Sequence, residues 1–452
     1  MKLEPDKIRK IYFLGIGGIG MSALARYFMA KGIAIIGYDR TPSPLTGELM
    51  NEGMKIHFED DPSGIPDDLD LVIYTPAIPK ALEEFKFLQE SNIPMLKRAE
   101  VTGKITEGKV TVAIAGTHGK TSISSQVAHI LKRADYPMTA LIGGISKNYQ
   151  SNFITTGKED IMVVEADEYD RSFLQLLPDI AVISAMDPDH LDIFGTAGEM
   201  YGSFNEFARN IKPGGKLISR KGLQLETEPD TSKITYAADE QADVFAFNLR
   251  SEAGLQVFDM ISGEELFSNI KLQIFGRHNV ENSLAAMAVC SHLGMDWKKI
   301  LEGISTFTGV SRRFDIRIQQ PGKVYIDDYA HHPQELEAFI SAVRQLYPGQ
   351  KLTGLFQPHL YSRTKDFAAG FAQSLDLLDE AWLLDIYPAR ELPVPGVTSE
   401  LILNLMHQKN KKLVTKTEAL NILEAEKPVI FLTMGAGDID LLVDPITKIL
   451  LS

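Results

Sequence analysis

Three times in this chain a glycine turn follows a strand-like apolar run, and each time it opens a helical pattern. The turns are Gly15-Ile16-Gly17-Gly18-Ile19-Gly20, Gly116-Thr117-His118-Gly119 and Gly435-Ala436-Gly437. Strand, tight turn and helix in repeated alternation specify parallel α/β architecture, because a parallel sheet needs a helical crossover between neighbouring strands. The spacing predicts strands at Lys10–Leu14, Leu71–Tyr74, 110–114, Ile161–Glu165 and Leu352–Phe356. It predicts a small antiparallel sheet at 244–249, 255–260 and 266–273, where apolar alternation and turn residues replace the helical period.

A chain of 452 residues divides into about three domains. Two stretches read as linkers: 106–109, marked by Gly103, Gly108 and mixed charges, and Thr306–Ser311, with two threonines, a glycine and a serine. Domains are therefore expected at 1–107, 108–308 and 309–452: a Rossmann-like first domain, a central P-loop-type domain whose parallel sheet is joined by the small antiparallel one, and a Rossmann-like third domain. The net charge of −14 and the lack of any long basic tract argue against nucleic acid or an anionic membrane as partner. Cys290 is the single cysteine, which excludes disulfide scaffolds and thiolate zinc clusters and suggests the reducing cytoplasm. Lys409–Lys412 reads as a solvated loop.

The second turn carries the most chemistry. Gly116, Thr117, His118, Gly119, Lys120, Thr121 and Ser122 have the layout of a phosphate cradle. N–H groups at a helix N-terminus face the anion, a lysine reaches the outer phosphates and a hydroxyl meets magnesium. The loop is shortened, since Ile114 stands where a full Walker motif has its first glycine. Gly15–Gly20 with Asp39 further on fits a dinucleotide fingerprint, but the same turn binds any diphosphate. Four carboxylates fall within Glu165–Asp170, at a strand end suited to holding magnesium. His190, between acids, suits a metal ligand, a base or a structural histidine. Asp327-Asp328-Tyr329-Ala330-His331-His332 and the segment Phe356–Thr364 with Arg363 place acids, histidines and a cation after two further strands, and spacing does not choose among phosphate, water and metal for them.

Together these segments resemble the Mur ligase family. The resemblance rests on Gly15–Ser22, Gly116–Thr121, Glu165–Glu168, Asp189–Asp192, Gly276–Asn282, Arg312–Phe314, Asp328–Pro333 and Phe356–His359, in family order along the whole chain. It implies an ATP-dependent ligase that phosphorylates the lactyl carboxylate of UDP-N-acetylmuramate and then couples L-alanine to it, a step of peptidoglycan synthesis. By the same resemblance, Lys120 serves the β/γ-phosphates, and Thr121, Glu165 and His190 hold Mg2+. His278, Asn279 and Asn282 match the adenine loop. Arg313, Asp328 and His331 match third-domain groups that reach the reaction centre on closure, with Thr306–Ser311 as hinge. Gly17, Gly18, Ser22, Asp39 and Thr75 are the UDP-sugar candidates, and Tyr329 and Arg363 the amino-acid candidates. A monomer or weak homodimer is expected.

Two positions depart from the family pattern. Leu360 stands where many relatives carry arginine, which shifts the amino acid's carboxylate toward Arg363, and Tyr169 replaces a commonly small residue. Two rival activities differ in substrate: attachment of a whole tripeptide to UDP-N-acetylmuramate, and a nicotinamide oxidoreductase built on Gly15–Gly20. A second phosphate cradle speaks against the latter.

Overall fold

The computed structural model describes residues 7–187, 194–252, 254–389 and 391–452. They form three sheets. The first has five strands in the order Lys55–His57, Ala34–Tyr38, Lys10–Leu14, Leu71–Tyr74 and Met95–Lys97, all parallel. Ile11, Tyr12, Phe13 and Leu14 are fully buried, as a central strand covered on both faces must be. The strand order reverses on either side of Lys10–Leu14, so a crevice opens at its carboxyl end, where the first glycine turn lies.

The second sheet has ten strands, with Val110–Ala115 flanked by Ile161–Glu165 and Ile180–Ile183, both parallel to it. This is again a point of reversal, and the cradle follows it. The small antiparallel sheet expected at 244–273 is not separate. Its first strand, Val244–Glu252, pairs in parallel with Ser232–Ala238 and so extends the main sheet. The physical reason is the edge of Ser232–Ala238, whose N–H and C=O groups need partners. Leu255–Ser262 and Glu265–Leu272 follow, joined by two residues, a connection short enough only for an antiparallel pair.

The third sheet runs Asp315–Gln320, Lys323–Asp328, Ile430–Met434, Leu352–Phe356, Glu380–Leu383, Lys411–Leu413. Its strands pair in parallel except for the antiparallel edge strand Asp315–Gln320. Of the solvated loop expected at Lys409–Lys412, Lys409 and Asn410 are exposed bends, whereas Lys411 and Lys412 lie in this sheet's other edge strand. Lys411 Nζ donates to the carbonyls of Leu403 and Met406, and Lys412 pairs with Glu380 at 3.1 Å. Short, lysine-bearing strands are a usual way of blunting a sheet edge.

The chain packs as two compact units, which divide between Phe307 and Thr308, inside the stretch read as a linker. Residues 250–256 and 273–279 belong with the second unit. Within the first unit, the first two sheets share one apolar core containing Phe13, Phe28, Val164, Phe173 and Phe204. Arg26, nearly sealed there, joins Glu52 at 2.6 Å and Asn152 at 2.6 Å. Gly103 is no linker residue. It lies in the helix Arg98–Thr106, and a Cβ there would stand 2.5 Å from the carbonyl oxygen of Gln175. Thr306 is anchored in the same unit, its hydroxyl 2.9 Å from His129 Nε2 and its carbonyl accepting from Asn148 at 3.0 Å. Cys290 is buried, which pushes its thiol far above the ordinary range.

Candidate active site

The cradle is built by the strand Val110–Ala115 feeding the helix Lys120–Arg133 through two glycines in the left-handed half of backbone space, φ +128° at Gly116 and +84° at Gly119. Gly119 is the residue before the helix and supplies no side-chain cap, so the first N–H groups of the helix are left for a ligand. Thr117 and the strand end Ile180–Ile183 hold the loop: Thr117 N–H donates to Ala185 O at 3.1 Å, and Asp187 N–H donates to the Thr117 hydroxyl at 3.1 Å. Ser184 donates to the His118 carbonyl, and His118 Nε2 lies 3.6 Å from Asp187. Asn282 closes the other side, its Oδ1 2.5 Å from where a Gly119 Cβ would stand.

Lys120 Nζ donates to Gly116 O at 2.7 Å and to Glu168 at 2.7 and 2.9 Å. Burial pulls this ammonium down, but Glu168, Asp167 and Glu165 more than offset it, and the net shift is upward. Glu165 stands at the end of Ile161–Glu165 and accepts from Gly143 N–H at 2.5 Å, Ser124 at 3.0 Å and Thr121 at 3.2 Å. Burial raises its carboxyl despite these donors and Lys120. A carboxylate and a hydroxyl side by side form an all-oxygen donor set, which fits a hard cation such as Mg2+. Among the described residues no cluster of three or more His, Cys, Asp or Glu suits a metal. His190 lies outside the described residues.

In the first sheet's crevice, Gly17 N–H donates to Asp39 Oδ2 at 2.8 Å, which ties the glycine turn to the end of the next strand. Gly18 is exposed and Thr75 half-buried at the end of Leu71–Tyr74. Ser22 is different. It is fully buried, donates to Ile19 O at 2.9 Å and accepts from Asn152 at 2.8 Å. Its hydroxyl is committed to packing the helix Ile19–Ala30 on the second sheet, so it is withdrawn as a ligand contact.

The second unit assembles its own group at the carboxyl ends of parallel strands. Asp328 accepts from Phe314 N–H at 2.6 Å and Ala330 N–H at 2.7 Å, and burial pushes its carboxyl up to about 7 despite the nearby Arg313. His331 Nδ1 is 3.0 Å from Tyr329 O and 3.2 Å from Glu335. Burial lowers His331 to about 4, against the pull of Glu335. Arg313 lies 5.0 Å from the Tyr329 ring centroid. Arg363, nearly buried, is 3.4 Å from His359, whose ring stacks on Tyr387 at 5.7 Å. Leu360, at φ +69°, precedes the helix Tyr361–Leu375 that carries Arg363.

These two shifts oppose each other in stability. A carboxyl raised on folding, as at Asp328, makes the folded state bind more protons, so stability falls from about pH 4 to about 7. A histidine lowered on folding makes it bind fewer, so stability rises from about pH 4 to about 6.5. Asp328→Asn removes the first effect alone. Its unfolding free energy relative to the parent's, from urea titrations, should climb by about 1–3 kcal/mol across that window. A flat or falling profile would contradict the assignment.

Models of the Mur ligase family match all three sheets: the family's catalytic domain at residues 10–110, its middle domain at 114–290 and its glutamate ligase domain at 312–437. A UDP-N-acetylmuramate–L-alanine ligase of Flavobacterium johnsoniae is 48% identical over 449 residues, covering 98% of both chains. The chain belongs to the Mur ligase family. Among solved structures, the UDP-N-acetylmuramate–alanine ligase of Thermotoga maritima is 27% identical with a TM-score of 0.82 over 98% of both chains. A murein peptide ligase from Psychrobacter arcticus, 20% identical with a TM-score of 0.71 over 98% of both, shares the fold.

In this Mur ligase the structure brings Gly116, Thr117, His118, Gly119, Lys120, Thr121, Glu165 and Asn282 together, with Ser122 in the first turn of the same helix. Of the adenine-loop candidates, His278 and Asn279 pack with the second unit and Asn282 with the first. Asn279 is buried and donates to Phe275 O at 2.7 Å. Sequence reasoning missed Glu168 as the partner of Lys120, Gly143 and Ser124 as donors to Glu165, and Glu335 as the carboxylate beside His331. The one signal for Glu335 was its place three residues into a helix that follows His332, where it accepts from the N–H groups of His331 and His332.

Proposed function

We propose that this Mur ligase joins L-alanine to the lactyl carboxylate of UDP-N-acetylmuramate, with conversion of ATP to ADP and phosphate. The observation that carries the reading is the 48% identity, across 98% of both chains, to a ligase of that name. The cradle's geometry supplies the chemistry. A carboxylate is a poor electrophile, so an oxygen of it first takes the γ-phosphoryl group of ATP to give an acyl phosphate. The alanine amine then attacks the acyl carbon, loses a proton, and phosphate leaves with the former carboxylate oxygen.

Each residue has a share in this. The helix N-terminus after Gly119 and Lys120 hold the β- and γ-phosphates, and Lys120 exchanges Glu168 for a phosphate oxygen. Thr121 and Glu165 would hold Mg2+, which neutralises phosphate charge during transfer. Gly17, Gly18, Asp39 and Thr75 receive the UDP-sugar at the first crevice. Arg363 and Tyr329 take the amino acid. His331 donates Nδ1–H toward Tyr329 O and Glu335, which leaves Nε2 unprotonated to meet the amine. Arg313 and Asp328 act beside His331 within the second unit. His278, Asn279 and Asn282 take the adenine end. The domain limits 1–107, 108–308 and 309–452 follow the three sheets in this reading, and the work is done in the cytoplasm.

A product assay tests the substrate. With ATP and UDP-N-acetylmuramate, L-alanine should give phosphate and the alanylated nucleotide, while the tripeptide L-alanyl-γ-D-glutamyl-meso-diaminopimelate should give neither. Turnover with the tripeptide alone would replace the reading with the recycling reaction. Among the described residues no helix is long and apolar enough to cross a membrane.

A further inference from the structure

Asn152 is fully buried although it lies on Ser151–Thr155, the edge strand of the second sheet. Its amide serves the helix Ile19–Ala30, which follows the first glycine turn. Nδ2 donates to Ile19 O at 2.7 Å and to the Ser22 hydroxyl at 2.8 Å, and Oδ1 accepts from Arg26 Nη1 at 2.6 Å. Ile19, Ser22 and Arg26 recur at helical spacing and form one stripe of that helix. The amide has a single workable orientation, since a guanidinium only donates and a carbonyl only accepts.

Both sides of the first glycine turn are fastened at this point. Ile19 directly follows Gly18 and begins the helix. Arg26 turns its remaining nitrogens to Glu52, at 2.6 to 3.0 Å, and to Glu48 at 3.2 Å. These acids stand in and just after the helix Pro44–Asn51, whose Thr46 Cγ2 lies 2.8 Å from where a Gly17 Cβ would stand. On the other side, Ser151–Thr155 pairs antiparallel with Met138–Ser146, and Gly143 in that strand donates to Glu165 at 2.5 Å. Hydrogen bonds and strand pairing thus join the walls of the first crevice to the carboxylate beside Thr121.

We propose that Asn152 is a positioning residue, which fixes the span between the first crevice and the cradle. This rests on the first crevice holding UDP-N-acetylmuramate and the cradle holding ATP. With no exposed surface and its amide fully used, Asn152 acts only through the elements it joins. Phosphoryl transfer needs the lactyl oxygen and the γ-phosphorus in line and nearly in contact, and a misplacement of about 1 Å costs about 100-fold in rate. A loosened span therefore lowers kcat and leaves each nucleotide's own site intact.

The test is calorimetry with UDP-N-acetylmuramate and with ATP, together with phosphate release in the presence of L-alanine, on the full chain. Asn152→Asp keeps the shape and the acceptor for Arg26, but it sets an oxygen against Ile19 O. It should lower kcat about 100-fold, with both affinities within about twofold of the parent. Ser22→Ala, which removes one of the amide's acceptors and keeps Arg26 paired, should show the same split at about tenfold. Tyr27→Phe is the control. It removes a 3.4 Å hydrogen bond to Glu159 from the same helix, far from the turn, and should leave kcat and both affinities unchanged. Parent-level kcat in Asn152→Asp and Ser22→Ala overturns the inference. So does an equal loss in Tyr27→Phe, which would make packing of the helix as a whole the cause, or a loss of UDP-sugar affinity with kcat retained at saturation. If the parent chain itself binds no UDP-N-acetylmuramate, the reading of the first crevice falls, a result separable from an active parent whose Asn152→Asp variant keeps its rate.

Discussion

Lys120→Ala should lower the rate of phosphate release about 1,000-fold while UDP-N-acetylmuramate still binds with near-parent affinity. The two halves of this result follow from placement. Lys120 is the cation that the cradle aims at the outer phosphates, whereas the UDP-sugar is assigned to the first sheet's crevice, and the two turns belong to different sheets. The substitution has a side effect that must be separated from catalysis. Glu168 is 1% exposed and pairs with Lys120. Removing the lysine strands a buried carboxylate, which costs about 3–5 kcal/mol when a buried pair is broken on one side. The double variant Lys120→Ala/Glu168→Gln should restore the unfolding midpoint and leave activity at the single variant's level. Calorimetry and a phosphate-release assay on both variants check this. Loss of UDP-sugar binding in the stabilised double variant would contradict the partition.

Gly116→Ala has the second large effect, and it acts through backbone alone. At φ +128° an alanine is strained, and its Cβ would meet the Ser184 hydroxyl and stand 2.9 Å from the backbone nitrogens of Ser184 and Ala185. Strain and overpacking together cost about 2–5 kcal/mol. Because the loop must shift to relieve them, its N–H groups lose their aim, and ATP affinity should fall about 100-fold. Gly202→Ala is the matched control with opposite sign. Gly202 lies inside the helix Ala197–Arg209, and nothing stands within 4 Å of its added Cβ. That variant should gain about 0.5–1 kcal/mol with ATP binding intact. Thermal unfolding and ATP titration of the pair decide; equal effects on ATP binding would remove the cradle's special geometry from the explanation.

How much of this was legible in the sequence depended on burial. Lys10–Leu14, Leu71–Tyr74, Ile161–Glu165 and Leu352–Phe356 are strands with the limits that their apolar runs suggest, because each is covered on both faces. Lys55–His57 and Lys411–Leu413 have no such run, since a short edge strand needs pairing more than apolar side chains. The cradle was readable because its glycines are demanded by backbone geometry. Ser22 was not, since a motif does not say which face of a helix packs: three residues after Ile19, it meets Asn152 of the neighbouring strand. Glu168 was hidden among four carboxylates, since their spacing does not say which of them turns to Lys120. Gly103 and Gly20 read as punctuation and fingerprint, yet each is glycine because another residue, Gln175 or Arg98, occupies the space of its side chain.

The central claim is that the cradle activates a carboxylate. UDP-N-acetylmuramate labelled with 18O in both oxygens of the lactyl carboxylate tests it directly, by mass spectrometry of the phosphate released in the presence of ATP and L-alanine. Activation through an acyl phosphate places one labelled oxygen in every phosphate released. Unlabelled phosphate alongside amide formation would contradict it.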